Sequence, residues 1–152
     1  MSLELEVQVN SENADIPARH DVETWVEEAI RDRRRVAELT VRIVDEAESR
    51  ALNERFRRQD KPTNVLSFPA ELPAAVDTPL LGDIVICAPV VAAEATASKR
   101  SARAHWAHLV IHGTLHLLGF DHQNENQARE MEAEETAILT RLGFSDPYHE
   151  LQ

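Results

Sequence analysis

The sequence predicts an α/β (α+β) fold, a small mixed four-stranded sheet packed with about five helices in a single domain over residues 1–152. Three observations carry that prediction. Segments with a two-residue hydrophobic period alternate with segments of helical period through the first half of the chain. The run Ile84–Ala88 is almost continuously apolar, as a strand covered on both faces requires. From Pro89 onward the pattern is helical, and no repeat, low-complexity tract or linker divides the chain.

Taken in order, Leu3, Leu5, Val7 and Val9 alternate with polar residues and predict a half-buried strand. Pro17 stands where a helix can begin, and Val22, Trp25, Val26, Ala29 and Ile30 follow at helical spacing. Leu39, Val41 and Ile43 alternate again within a second strand, Glu38–Asp45. Ala47–Arg57 reads as a helix with Ala51, Leu52 and Phe56 on its apolar side. Val65–Phe68 is a short strand bracketed by Pro62 and Pro69, and Glu71–Pro79, with two prolines and no period, is a loop. After the strand Ile84–Ala88, one helix runs through Val90, Val91 and Ala95 towards Lys99. The next, Ala102–Leu118, stops at Gly119, the residue type that favours a left-handed helix end. Asn124 followed by Gln127 is a capping-box pattern that opens a last helix to about Leu142, ended by Gly143.

Composition narrows the function classes. Hydrophobic residues at 43% and charged residues at 28% describe a folded domain, not a disordered one. The only cysteine, Cys87, excludes an intrachain disulfide framework. No apolar run approaches the ~18 residues of a membrane span, and Met1–Asn10 has no leader pattern, so the expected compartment is the cytosol. The net charge of −11 argues at first sight against a nucleic-acid partner. The basic residues are concentrated, however: residues 31–61 carry ten basic and seven acidic groups, and Lys99, Arg100 and Arg103 form a second cluster. Solvated helix faces and an anion-binding track both account for such clusters.

The histidines are more specific. His112 and His116, four residues apart, share one face of a helix one turn apart, and Gly119 lets the chain turn back so that His122 can supply a third nitrogen. Three neutral imidazoles suit zinc and leave a fourth position open, the pattern of a catalytic site. A closed structural site would need a fourth protein ligand, for which Cys87 is the candidate. Histidines satisfied within a core helix are the competing explanation. His108 shares the same face and is a candidate for the surrounding shell, and Asp121 either orients an imidazole or serves the turn. The frame H-x-x-x-H-x-x-G-x-x-H is also that of metzincin proteases, which carry a glutamate base directly after the first histidine. Here Gly113 occupies that position, so the peptidase mechanism lacks its base.

The second constellation is Leu52-Asn53-Glu54-Arg55-Phe56-Arg57-Arg58-Gln59-Asp60-Lys61-Pro62-Thr63-Asn64-Val65-Leu66-Ser67-Phe68-Pro69. Arginines at a helix end before a proline-bounded strand can clamp a phosphate through paired, charge-assisted bonds. They can equally complete the helix dipole, at about 0.3–1 kcal/mol each.

HGTLHLLGFDH, with LNERFRRQDKPTNVLSFP and LGDIVI, resembles the bacterial YbeY family, rRNA maturation factors described as metal-dependent, single-strand-specific endoribonucleases. The resemblance spans roughly Leu39 to Leu142. It implies that His112, His116 and His122 bind one zinc ion, and that Arg57, with His112 and His116, is catalytic. It further implies that single-stranded RNA lies across Arg55, Arg57, Arg58 and Lys61, with Lys99, Arg100 and Arg103 as an extension. Thr63 and Ser67 fall in the family's strand-and-turn motif, where Asn64 occupies a position often held by aspartate. His108 is the candidate general acid, and His108 and Asp121 are the candidates behind the ligands. The implied role is small-subunit rRNA 3′-end processing and ribosome quality control, with the ribosomal small subunit or its proteins as partners and no DNA or membrane. Two other functions stay open at this point: a zinc hydrolase of an amide or small ester, and a non-catalytic assembly factor whose zinc pins a loop. Nickel or another divalent ion can also occupy three histidines in a purified sample. The acidic helix with Glu130, Glu132, Glu134 and Glu135 is expected to be a solvated face, or alternatively a surface for a basic ribosomal protein.

Overall fold

The computed structural model describes residues 2–71 and 78–148. Its elements are β1 (Ser2–Asn10), α1 (Arg19–Ile30), β2 (Val36–Val44), α2 (Glu46–Arg57), β3 (Val65–Pro69), β4 (Leu80–Cys87), α3 (Ala88–Ala97), α4 (Ala102–Leu117) and α5 (Glu125–Arg141). The order is the predicted one, an α/β domain with a four-stranded mixed sheet and five helices among the described residues. Residues 72–77 of the predicted loop lie outside the described residues. Among the boundaries that differ from the sequence pattern, β2 spans Val36–Val44 where the pattern predicts Glu38–Asp45, and two others have a plain physical cause. β4 begins at Leu80, because Leu80–Asp83 continue the ladder with Glu38–Thr40 of β2 although Gly82 and Asp83 break the apolar run. Ala88 opens α3 instead of ending β4, since Pro89 lies in the first turn, where its missing N–H costs nothing.

The sheet order is β1-β2-β4-β3, with β1, β2 and β4 parallel and the edge strand β3 antiparallel to β4. Strand periodicity divides the apolar residues between two faces. Leu39, Val41 and Ile43 of β2 and Ile84 and Ile86 of β4 join the main core with Trp25, Ile30, Leu115, Ile138 and Leu139 from α1, α4 and α5. On the opposite face Val44, Leu66, Val85 and Cys87 form a smaller cluster, against which Leu52 of α2, Phe68 and Val90 pack. Cys87 is therefore core packing and not a metal ligand. No helix among the described residues is long and apolar enough to cross a membrane.

α4 is the centre of the main layer, in contact with α1, α3, α5, β3 and β4. Its approach to the sheet depends on Gly113. A Cβ there would stand 2.9 Å from Ile84 Cγ2 and 3.2 Å from Ser67 Oγ, and a β-branched isoleucine has little rotamer freedom to yield. We expect Gly113→Ala to lower stability by about 1–3 kcal/mol, the usual cost of overpacking a core. Thermal unfolding measures this, and an unchanged midpoint would mean that α4 rides further from the sheet at no cost.

Candidate metal centre

α4 starts at Ser101, whose hydroxyl accepts the Ala104 N–H at 3.0 Å, and it carries His105, His108, His112 and His116 along one side. Its end is set by Gly119 at φ +107°: the Gly119 N–H donates to His116 O at 3.0 Å and the Phe120 N–H to Leu115 O at 3.0 Å. This double bond pattern needs a left-handed residue at the reversal, and it turns the chain back across the helix end. Asp121 Oδ1 accepts the His122 N–H at 2.7 Å, so Asp121 shapes the turn and, among the described residues, hydrogen-bonds no imidazole. Asn124 then caps α5 by accepting the Gln127 N–H at 2.9 Å, while Gln127 Oε1 accepts from Gln123 N–H at 3.1 Å.

The result brings the three predicted ligands together. Ring centroids lie 5.1 Å apart for His112 and His116, 4.9 Å for His116 and His122, and 5.6 Å for His112 and His122. One nitrogen from each falls within 4.8 Å of the other two. The rings line a recess of about 160 Å³ together with Arg57, Asn64, Val65 and Ser67. An all-imidazole donor set with no fourth ligand from the described residues matches the open coordination of a zinc-type centre. Burial, reinforced by His112 and His122 alongside, holds His116 below the ordinary histidine value of 6.5. A ligand must be neutral to bind a metal, and burial keeps the His116 ring neutral to a lower pH than an ordinary histidine. In metal-free protein the His116 ring should titrate below 6.5 when followed by NMR; a midpoint at or above that value contradicts the geometry.

Arg57 reaches the recess from the C-terminal end of α2. The turn beyond it is fixed by polar side chains that α2 buries. Asn53 Nδ2 donates to Lys61 O at 2.8 Å, and Ser49 Oγ both donates to Thr63 O and accepts from Thr63 N–H, each at 3.0 Å. Arg50 pairs with Asp60, and Arg58 adopts φ +58° at the helix cap. Arg57 itself makes no ion pair among the described residues, which leaves its guanidinium for an anion. Arg55, Arg58 and Lys61 are exposed around it but do not line the recess, and Arg55 lies over the Phe56 ring at 5.2 Å. Asn64 does line it and donates from Nδ2 to Glu94 Oε1 at 3.1 Å, a bond an aspartate could not give. Ser67 Oγ donates to Gly113 O at 3.3 Å, tying β3 to the histidine helix.

Several expectations are corrected. Arg100 does not face outward: its Nη1 approaches Nδ1 of His105 at 3.1 Å and of His108 at 3.3 Å. Arg103 pairs with Asp21 and lies 5.5 Å from the Trp25 ring centre, so of the second basic cluster only Lys99 stays exposed and unpaired among the described residues. His108 stands behind the recess with both nitrogens engaged, by Arg100 and by Glu135, which removes it as a general acid facing substrate. Glu135 is the largest departure. It is not on a solvated face but fully buried, 3.2 Å from His108 Nε2 and from His112 Nδ1, and it accepts the Tyr148 hydroxyl at 2.7 Å. Burial alone would raise its pKa, yet the bonds from His108 and His112 prevail and hold it at about 2. Burial and that carboxylate together push the Tyr148 hydroxyl up from its usual value. Only the helical phase of Met131, Glu135, Ile138 and Leu139, which places Glu135 on the apolar side, could have betrayed it.

The glutamate base of the metzincin frame has no counterpart here: position 113 faces Ile84, and no carboxylate lines the recess among the described residues. Comparison with known proteins agrees with this architecture. The solution structure of TM1509 from Thermotoga maritima superposes with a TM-score of 0.58 at 24% sequence identity, covering 95% of this chain and 99% of that one, which shows a shared fold. The family model described as Endoribonuclease YbeY matches residues 6–143, a span that includes all three histidines, Arg57 and the turn between them. The chain belongs to the YbeY endoribonuclease family.

Proposed function

We propose that this protein is a zinc-dependent endoribonuclease that cuts single-stranded RNA during ribosomal RNA maturation, including small-subunit 3′-end processing and ribosome quality control in the cytosol. The observation that carries the reading is the convergence, in one recess, of three imidazoles and an unpaired arginine. Bound by His112, His116 and His122, a zinc ion would supply a Lewis acid for a phosphoryl oxygen and lower the pKa of water. Arg57 presents a planar fork of donors that can hold two phosphate oxygens at once, and it offsets the negative charge that grows there as the phosphodiester is attacked. Ser67 and Asn64 line the same recess. Arg55, Arg58 and Lys61 extend the positive charge along the incoming strand, where phosphate contacts set affinity. The ribosomal small subunit or its proteins would deliver the substrate.

The test is cleavage of one RNA sequence in single-stranded and duplex form by zinc-loaded protein, with a peptide and ester panel beside it. Internal cuts confined to the single strand support the proposal. Full zinc loading with intact RNA overturns it in favour of a non-catalytic assembly factor, and turnover of an ester or amide in favour of another hydrolase.

A further inference from the structure

Deepening the proposed function, and resting on His112 being a metal ligand, we propose that Glu135 is the positioning residue of this centre and that Tyr148 holds it in place. Arg100 sets the proton positions of the histidines beside it. A guanidinium can only donate, so Nδ1 of His105 and Nδ1 of His108, at 3.1 and 3.3 Å from Arg100 Nη1, must both accept. Each ring then carries its proton on Nε2. His105 gives that proton's bond to Glu94 Oε1 at 2.9 Å, and His108 shares its own between Glu135 at 3.2 Å and the Tyr148 hydroxyl oxygen at 3.1 Å.

Glu135 already receives the Tyr148 hydroxyl and, as a carboxylate, only accepts. The His112 nitrogen facing it at 3.2 Å must therefore be a donor, Nδ1–H. That assignment leaves the His112 Nε2 lone pair free for the ion, and it fixes the plane of the ring. A carboxylate on the far nitrogen also raises the basicity of a ligating imidazole.

Tyr148 is the outer member of the cluster. Its residue is 44% exposed, but its ring stands edge-on to His108 at 5.4 Å between centroids and its hydroxyl lies 2.7 and 2.9 Å from the two Glu135 oxygens. The segment beyond α5 thus closes over the carboxylate that aims a metal ligand. A glutamine at 135 would present an N–H₂ group to one of the three donors. Where it meets His112 Nδ1, the ring's proton moves to Nε2, the nitrogen the ion requires.

Zinc affinity is read by competition with a chromophoric chelator, and the His112 tautomer by nitrogen-15 NMR of the metal-free protein. Glu135→Gln should bind zinc about 10–100-fold more weakly and lose the Nδ1–H form, with Glu135→Asp recovering part of both. Tyr148→Phe, which removes one hydroxyl from a half-exposed residue outside the core, should weaken zinc binding by a smaller factor. Wild-type affinity and tautomer in Glu135→Gln would overturn the role given to Glu135. Unchanged affinity in Tyr148→Phe would overturn the role given to Tyr148, and, if Glu135→Gln does not fold, a metal-free wild-type chain whose His112 carries its proton on Nε2 would overturn the role given to Glu135. A wild-type chain that takes up no zinc would overturn the metal centre itself, a result distinct from either.

Discussion

His116→Ala should yield a folded protein that holds no zinc and cuts no RNA. His116 projects from α4 into an open recess and not into packed core, so its removal creates no sealed void of the kind that makes large-to-small substitutions costly. Burial also disfavours its charged form, which makes the ring a mild burden on the metal-free fold at low pH. Two imidazoles cannot retain an ion that three hold in an open site, and the loss extends to any reaction that needs it. Metal analysis, circular dichroism and RNA cleavage on one preparation check the three parts together. A His116→Ala protein that keeps stoichiometric zinc would mean that the ligand set has been misassigned. Zinc-free protein with full cleavage would mean that the metal has no part in the chemistry.

Arg57→Glu separates binding the ion from using it. The arginine is exposed, makes no ion pair among the described residues and follows the last buried residue of α2, Asn53, by a full turn, so the fold and zinc content should be unchanged. Cleavage should fall by at least the ~10²–10³-fold that follows loss of one stabiliser of developing charge, and further because the new carboxylate repels phosphate. Arg57→Lys should recover part of the rate, since it restores the charge but not the planar fork. Single-turnover rates at saturating RNA distinguish a chemical role from weaker binding. A Glu variant with normal single-turnover cleavage would remove Arg57 from the chemistry and leave it, at most, as a phosphate contact.

The contrast between His112 and Glu135 shows what a sequence can disclose. His112, His116 and His122 are legible because their convergence is local: a helical turn brings two together and Gly119 returns the third, whatever the rest of the chain does. β1 and β2 are legible for the same reason, each declaring its own period, whereas the start of β4 at Leu80 depends on its pairing with β2. Glu135 reaches His112 only because α5 docks on α4, and no pattern within Asn124–Leu142 states that docking. Arg100 is a similar case. In the sequence it belongs to a basic cluster, whereas in the fold it is drawn between two histidines of the following helix. Side chains that act across elements are read correctly only once the packing is known. The faces chosen by α1 and α2, on opposite sides of the sheet, were hidden for the same reason.

The reversal at Gly119 divides the ligand set unequally. His112 and His116 belong to one helix packed against α1, α3, α5, β3 and β4, so their spacing is set by the fold. His122 sits past the reversal on an exposed stretch, anchored through Asp121 and the cap of the next helix. Substitutions between Gly119 and Asn124 should therefore displace His122 from the helical pair and weaken ion binding, and leave the packing of α4 unchanged.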